Sequence, residues 1–105
     1  MGKCLREYGN DKCYSVTFDG FYDYEEFKEV MRILEEVIGF DEIKISGLDA
    51  MDGYSIKDDI RLSWKFNNWD CIEFDYDNPK SDSHIKIVKG WARMIFDLLI
   101  NKFGE

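Results

Sequence analysis

Residues Ile60–Tyr76, IRLSWKFNNWDCIEFDY, decide the fold. Ile60, Leu62, Trp64 and Phe66 alternate with Arg61, Ser63 and Lys65. Further on, Ile72, Phe74 and Tyr76 alternate with Cys71, Glu73 and Asp75. Successive side chains of a strand point to opposite faces, so both runs read as strands with one apolar and one polar side. Together they form a hairpin. A two-residue loop at Asn67-Asn68 would set Leu62 against Glu73 and Ile60 against Asp75, mixing core with charge. A slip of one residue sets Trp64 opposite Ile72, Leu62 opposite Phe74 and Ile60 opposite Tyr76. It also sets Arg61 opposite Asp75, a favourable cross-strand pair on the polar side. The connection is then Asn67–Trp69 or Phe66–Asp70.

Working outward, Lys12–Asp19 alternates in the same way, with Tyr14, Val16 and Phe18 on one side. Asp41–Ser46 reads as a short strand through Ile43 and Ile45, and Gly47–Asp59 reads as a loop. Residues 1–11 read as a weakly structured lead-in. Tyr24–Ile38 carries Phe27, Val30, Met31, Leu34, Val37 and Ile38 at helical spacing. Asp23 suits its N-cap, Glu26 completes a capping-box pattern, and Gly39 suits the C′ position. After a turn containing Pro79, a second helix runs from Ser83 or His84 to Phe103, with Val88, Trp91, Ala92, Ile95, Leu98 and Leu99 inward. Residues 84–88 fit either helix or strand. Gly90 either weakens that helix or marks close packing. The order β-α-β-β-β-α, with one-sided helices and a two-faced hairpin, predicts an α+β two-layer sandwich. Its antiparallel sheet has about four strands, with both helices packed on one face. The whole chain, 1–105, is expected to be a single domain.

The chain has 105 residues, with 14 Lys plus Arg against 22 Asp plus Glu, a net charge of −8. Aromatics at 16% exclude intrinsic disorder despite the charge. No apolar run is long enough for a membrane span, and Met1–Asn10 lacks the apolar centre of a secretory signal. Arg6 stands where a myristoylation pattern wants Ser or Thr. Cys4, Cys13 and Cys71 are odd in number and irregularly spaced, so reduced thiols and a cytoplasmic location are expected.

The common catalytic patterns are missing. No phosphate-binding glycine motif and no nucleophile elbow occurs. His84 is the only histidine, so neither a His-based metal site nor a Cys71–His84 dyad is expected. Asp70 and Glu73 beside Cys71 disfavour its thiolate. Asp75-x-Asp77 opens like a calcium loop, but Pro79, Lys80 and Lys86 stand where a third ligand, a glycine and a glutamate belong. No cofactor, no metal and no enzymatic activity is expected. Lys86, Lys89 and Arg93 could form a basic patch, yet the net charge has the wrong sign for direct nucleic-acid binding.

Acidity of this kind steers association with basic partners. The expectation is a small non-catalytic binding protein, an inhibitor or immunity-type protein. It would block a basic partner such as a nuclease toxin or nucleic-acid-binding enzyme by imitating nucleic acid. In composition, though in no motif, the chain is similar to small immunity proteins and phage-encoded inhibitors. The expected partner surface is Trp69, Glu73 and Asp75 of the hairpin, together with Asp49, Asp52, Tyr54, Asp58 and Asp59 of the acidic loop. The alternative is a small structural or regulatory subunit, or a homodimer, whose acidity serves only solubility.

Overall fold

A computed structural model describes residues 2–9, 12–47, 50–67 and 71–104, with Asn67 described through its backbone alone. In chain order the elements are β1 (Cys4–Gly9), β2 (Cys13–Asp19), α1 (Tyr24–Arg32), β3 (Glu42–Gly47), β4 (Ala50–Lys57), β5 (Ile60–Asn67), β6 (Cys71–Asp77) and α2 (Asp82–Phe103). A π-helical turn, Ile33–Ile38, continues α1. The strands form one antiparallel sheet in the order β1-β2-β6-β5-β4-β3. The inward side chains of both helices join the apolar side of the strands in one core. The fold is therefore α+β with two helices and one antiparallel sheet.

Six strands stand where about four were expected, and the element order becomes β-β-α-β-β-β-β-α. Residues 4–9 are an edge strand instead of a weak lead-in, held by pairs such as Leu5 with Phe18. Most of the expected 47–59 loop is β4, whose alternation is interrupted by Gly53. Gly53 lies opposite Ile45 on β3 and Trp64 on β5. A Cβ there would sit 1.9 Å from the Lys44 carbonyl oxygen, so only glycine fits.

The β5–β6 register also differs. Trp64 faces Phe74, Phe66 faces Ile72, and Ser63, not Arg61, faces Asp75. This is a shift of two residues from the expected pairing. A slip of two returns every side chain to its own face, so the apolar pattern cannot distinguish the two registers.

The helices follow their apolar stripes with two adjustments. Gly39 and Phe40 both donate backbone N–H groups to the Leu34 carbonyl, 3.0 and 2.8 Å away. The widened turn rotates the end of the helix, burying Ile33 and Leu34 and leaving Val37 47% exposed. Gly39, at φ 81°, closes it in the left-handed conformation. In α2, Val88, Ala92, Ile95 and Leu99 are buried, and Trp91 and Leu98 lie at the flanks. Ser81 caps α2 by accepting the His84 N–H, so residues 84–88 are helical. Gly90 faces open space, which rules out close packing as its reason.

Candidate interaction surface

Both helices lie against one side of the sheet, so the other side is open. Strand alternation determines what that side carries. Along β6 it carries Cys71, Glu73, Asp75 and Asp77, the residues alternating with buried Ile72, Phe74 and Tyr76. Side chains two residues apart in a strand are separated by about 6.7 Å. Glu73, Asp75 and Asp77 therefore form an evenly spaced row of carboxylates on an inner strand of the sheet.

Cross-strand neighbours extend the row sideways. Glu73 lies between Thr17 on β2 and Lys65 on β5. Lys65 in turn faces Asp52 on β4, beside Ser46 on β3. Asp75 lies between Ser15 and Ser63 and accepts a 2.5 Å hydrogen bond from the Ser15 hydroxyl. Asp19 faces both Cys4 and Cys71 across the strands and pairs with Arg6.

Tyr54 is on the same side. Its hydroxyl donates to Glu42 at 2.5 Å, and the Arg61 guanidinium lies 4.2 Å from its ring centre. The hydrogen bond to the Glu42 carboxylate holds the Tyr54 hydroxyl above its ordinary pKa. Asp58 and Asp59 form the β4–β5 turn, with φ 50° and 67°. Two left-handed residues suit a two-residue hairpin, and aspartate tolerates that conformation better than most residues. Asp59 then lines a groove of about 490 Å³ at one end of the open side, with Arg61, Ser63, Asp77, Asn78 and Lys80.

The structure thus brings Asp52, Tyr54, Glu73 and Asp75 onto one surface and places Asp59 at its end, with Asp58 beside it in the turn. Asp52 and Tyr54 belong to a strand, so the acidic loop expected around them is corrected to an ordered sheet surface. Trp69 and Asp49 lie outside the described residues. Sequence reasoning missed Asp77 and Asp19 as members of this surface. Asp77 and Asp19 were legible as alternating positions that end their strands. Arg61 was expected against Asp75, but the actual register leaves it over Tyr54 instead.

The weighed Cys71–His84 dyad is not assembled. Cys71 is on the open side at the start of β6, while His84 meets the Tyr76 hydroxyl at 3.1 Å on the helix side. Among the described residues, no group of three His, Cys, Asp or Glu side chains could hold a metal ion. No described helix is long and apolar enough to cross a membrane. No protein family, curated protein or solved structure matches the chain.

Proposed function

We propose that this is a non-catalytic, acidic binding protein of the inhibitor or immunity type, acting in the cytoplasm. Its open sheet surface caps a basic partner, such as a nuclease toxin or a nucleic-acid-binding enzyme. The observation that carries this reading is the carboxylate row Glu73, Asp75 and Asp77 on an inner strand of the uncovered side. A rigid sheet holds the spacing without a loop-ordering penalty on binding. Asp52 and Asp59 widen the acidic area, and the net charge of −8 adds long-range steering. Lys65 and Arg61, interspersed on the same side, give the surface a charge pattern and therefore a preferred register.

The test is capture by the tagged protein from its source lysate, beside the double variant Glu73→Lys/Asp75→Lys, with low- and high-salt washes. The expected result is a stoichiometric basic protein released by salt and absent with the double variant. Retention by both proteins at high salt, or no partner even at low salt, would overturn the proposal.

A further inference from the structure

We propose that the helix layer, on the far side of the sheet from the open face, is the interface of a symmetric homodimer in which α2 of each copy packs on α1 of the other. Val37, Ile87 and Met94, at 47, 44 and 40% exposed, are the exposed large aliphatic side chains among the described residues. All three lie on the helices. Ile87, Trp91, Met94 and Leu98 recur at i, i+4, i+7 and i+11, a stripe along α2 beside its buried one. Trp91 meets the Phe40 ring, just past the end of α1, at 5.0 Å, so this stripe is on the flank of α2 that faces α1. Val37 joins the patch because the π-helical turn swings it outward, and turns of that kind are frequent at functional sites. An exposed apolar patch rimmed by charged residues marks a protein interaction surface.

Charge complementarity selects a second copy as the occupant. α2 carries Lys86, Lys89, Arg93 and Lys102 against Asp82 and Asp97, a net +2 within a chain of net −8. α1 with its π-helical turn carries five Glu against Lys28 and Arg32, a net −3. The two helices lie antiparallel. Lys102 Nζ reaches Glu29 at 3.0 Å, and eleven residues away along each segment Trp91 meets Phe40. Val37 is therefore level with Met94. Glu35 and Glu36 stand within one turn of the level of Arg93, and Arg32 within one turn of that of Asp97. A two-fold axis parallel to the helices keeps every residue at its level while it sets α2 over α1 of the other copy. Met94 then meets Val37 of the other copy, Arg93 meets Glu35 and Glu36, and Asp97 meets Arg32. An axis across the helices would set α2 on α2, like charge on like. Two pairs within each copy compete, Arg93 with Asp97 at 3.9 Å and Arg32 with Glu36 at 3.8 Å. Exposed pairs this long are weak, so exchanging them across an interface costs little. The charge of −8 on each copy also opposes association, and screening limits that repulsion to about 8 Å at physiological ionic strength. Both open sheet faces point away from the axis in this dimer and stay free.

The test is sedimentation equilibrium of the full chain at physiological ionic strength, from about 1 μM to about 1 mM, a range that registers even weak association. A concentration-dependent dimer is expected. Met94→Glu should weaken it about tenfold or more, because a charge enters the apolar contact twice by symmetry. Met94 is exposed, so this variant should keep the helix content of the parent by circular dichroism. Arg93→Glu should also weaken the dimer, and the charge swap Arg93→Glu/Glu35→Arg/Glu36→Arg should restore it, which a variant that merely misfolds would not do. The open-face variant Glu73→Lys/Asp75→Lys should dimerise like the parent, which keeps this test separate from capture of a basic partner. A chain that is monomeric at every concentration would overturn the proposal and leave the patch to a different protein. So would a dimer indifferent to Met94→Glu, one that the charge swap fails to restore, or one that Arg93→Glu strengthens, since that would set α2 on α2. A dimer dissolved by Glu73→Lys/Asp75→Lys would move the interface to the open sheet face and overturn it as well.

Discussion

The two sides of the sheet share the same strands and differ in everything their side chains do. On the helix side, Phe18, Trp64 and Phe74 are almost wholly hidden and touch one another, with ring centres 4.9 Å apart for Trp64–Phe74 and 6.2 Å for Phe18–Phe74. On the open side, the neighbours of those residues are Thr17, Lys65, Glu73 and Asp75. One side carries the stability through burial and close packing. The other is held rigid by that core and is free to carry charge. Strongly different responses to substitution on the two sides follow from this division.

The largest effect belongs to the helix side. Trp64→Ala should destabilise the fold by about 3–5 kcal/mol, read by urea unfolding. A loss under about 1 kcal/mol would show that the core is not organised around this ring, a magnitude typical of surface sites. Next comes the polar pair inside the core. The Trp64 indole N–H donates to the fully buried Ser55 hydroxyl at 2.8 Å. Ser55→Ala leaves that donor unsatisfied and should cost about 1–3 kcal/mol. Near-neutral behaviour would mean that water reaches the site and that the two sides are less distinct than described.

The helix layer has its own charged anchor. Glu29 is 5% exposed and accepts hydrogen bonds from Arg32 and Lys102. The Arg32 hydrogen bond, with help from Lys102, outweighs burial and holds the Glu29 carboxyl down at about 2, against an ordinary value of 4.5. Because the folded value is depressed, this stabilisation is present above about pH 4.5 and is lost as pH falls toward 2. Glu29→Gln should therefore flatten the fall of the melting temperature over that window. A parallel fall in both proteins would assign acid sensitivity to other carboxylates.

Two smaller effects sharpen the contrast at the solvent boundary. Gly90→Ala, on the outer side of α2 with open space around its Cα, should stabilise by up to about 1 kcal/mol. A loss on this substitution would reveal a close neighbour at that position. On the open side, Lys65→Ala should change stability by no more than about 0.5 kcal/mol. A much larger loss would mean that the charge pattern there holds the sheet together rather than serving a partner.

Legibility in the sequence followed the same division. Val16, Phe18, Leu62, Trp64, Ile72 and Phe74 alternate so regularly that their side of the sheet could be assigned from the sequence. Both helices were readable from their stripes, and Asp23, Glu26 and Gly39 marked the first one's ends. Glu26 accepts the backbone N–H groups of Tyr22 and Asp23 at 3.0 and 3.1 Å, as its capping position suggests. β1 and β4 were not readable. In β1 only Leu5 packs an apolar side chain against the core, because an edge strand buries little. In β4 the inward positions are Met51, Gly53, Ser55 and Lys57, which carry almost no apolar signal. Of the expected partner surface, Glu73 and Asp75 were assigned correctly to the polar side. Asp52 and Tyr54 were named without their strand, and so without their alignment to β5.

The sequence by itself determined which side chains of β2, β5, β6 and most of the two helices face inward, because alternation and helical spacing are local properties of the chain. It also determined the acidity and the lack of a catalytic motif. Only the tertiary structure decided the strand count, the β5–β6 register and the gathering of Asp52, Glu73, Asp75 and Asp77 on one side. Those depend on backbone pairing between distant segments. Such pairing is indifferent to side-chain identity at edges, and a shift of two residues leaves every side chain on its original face.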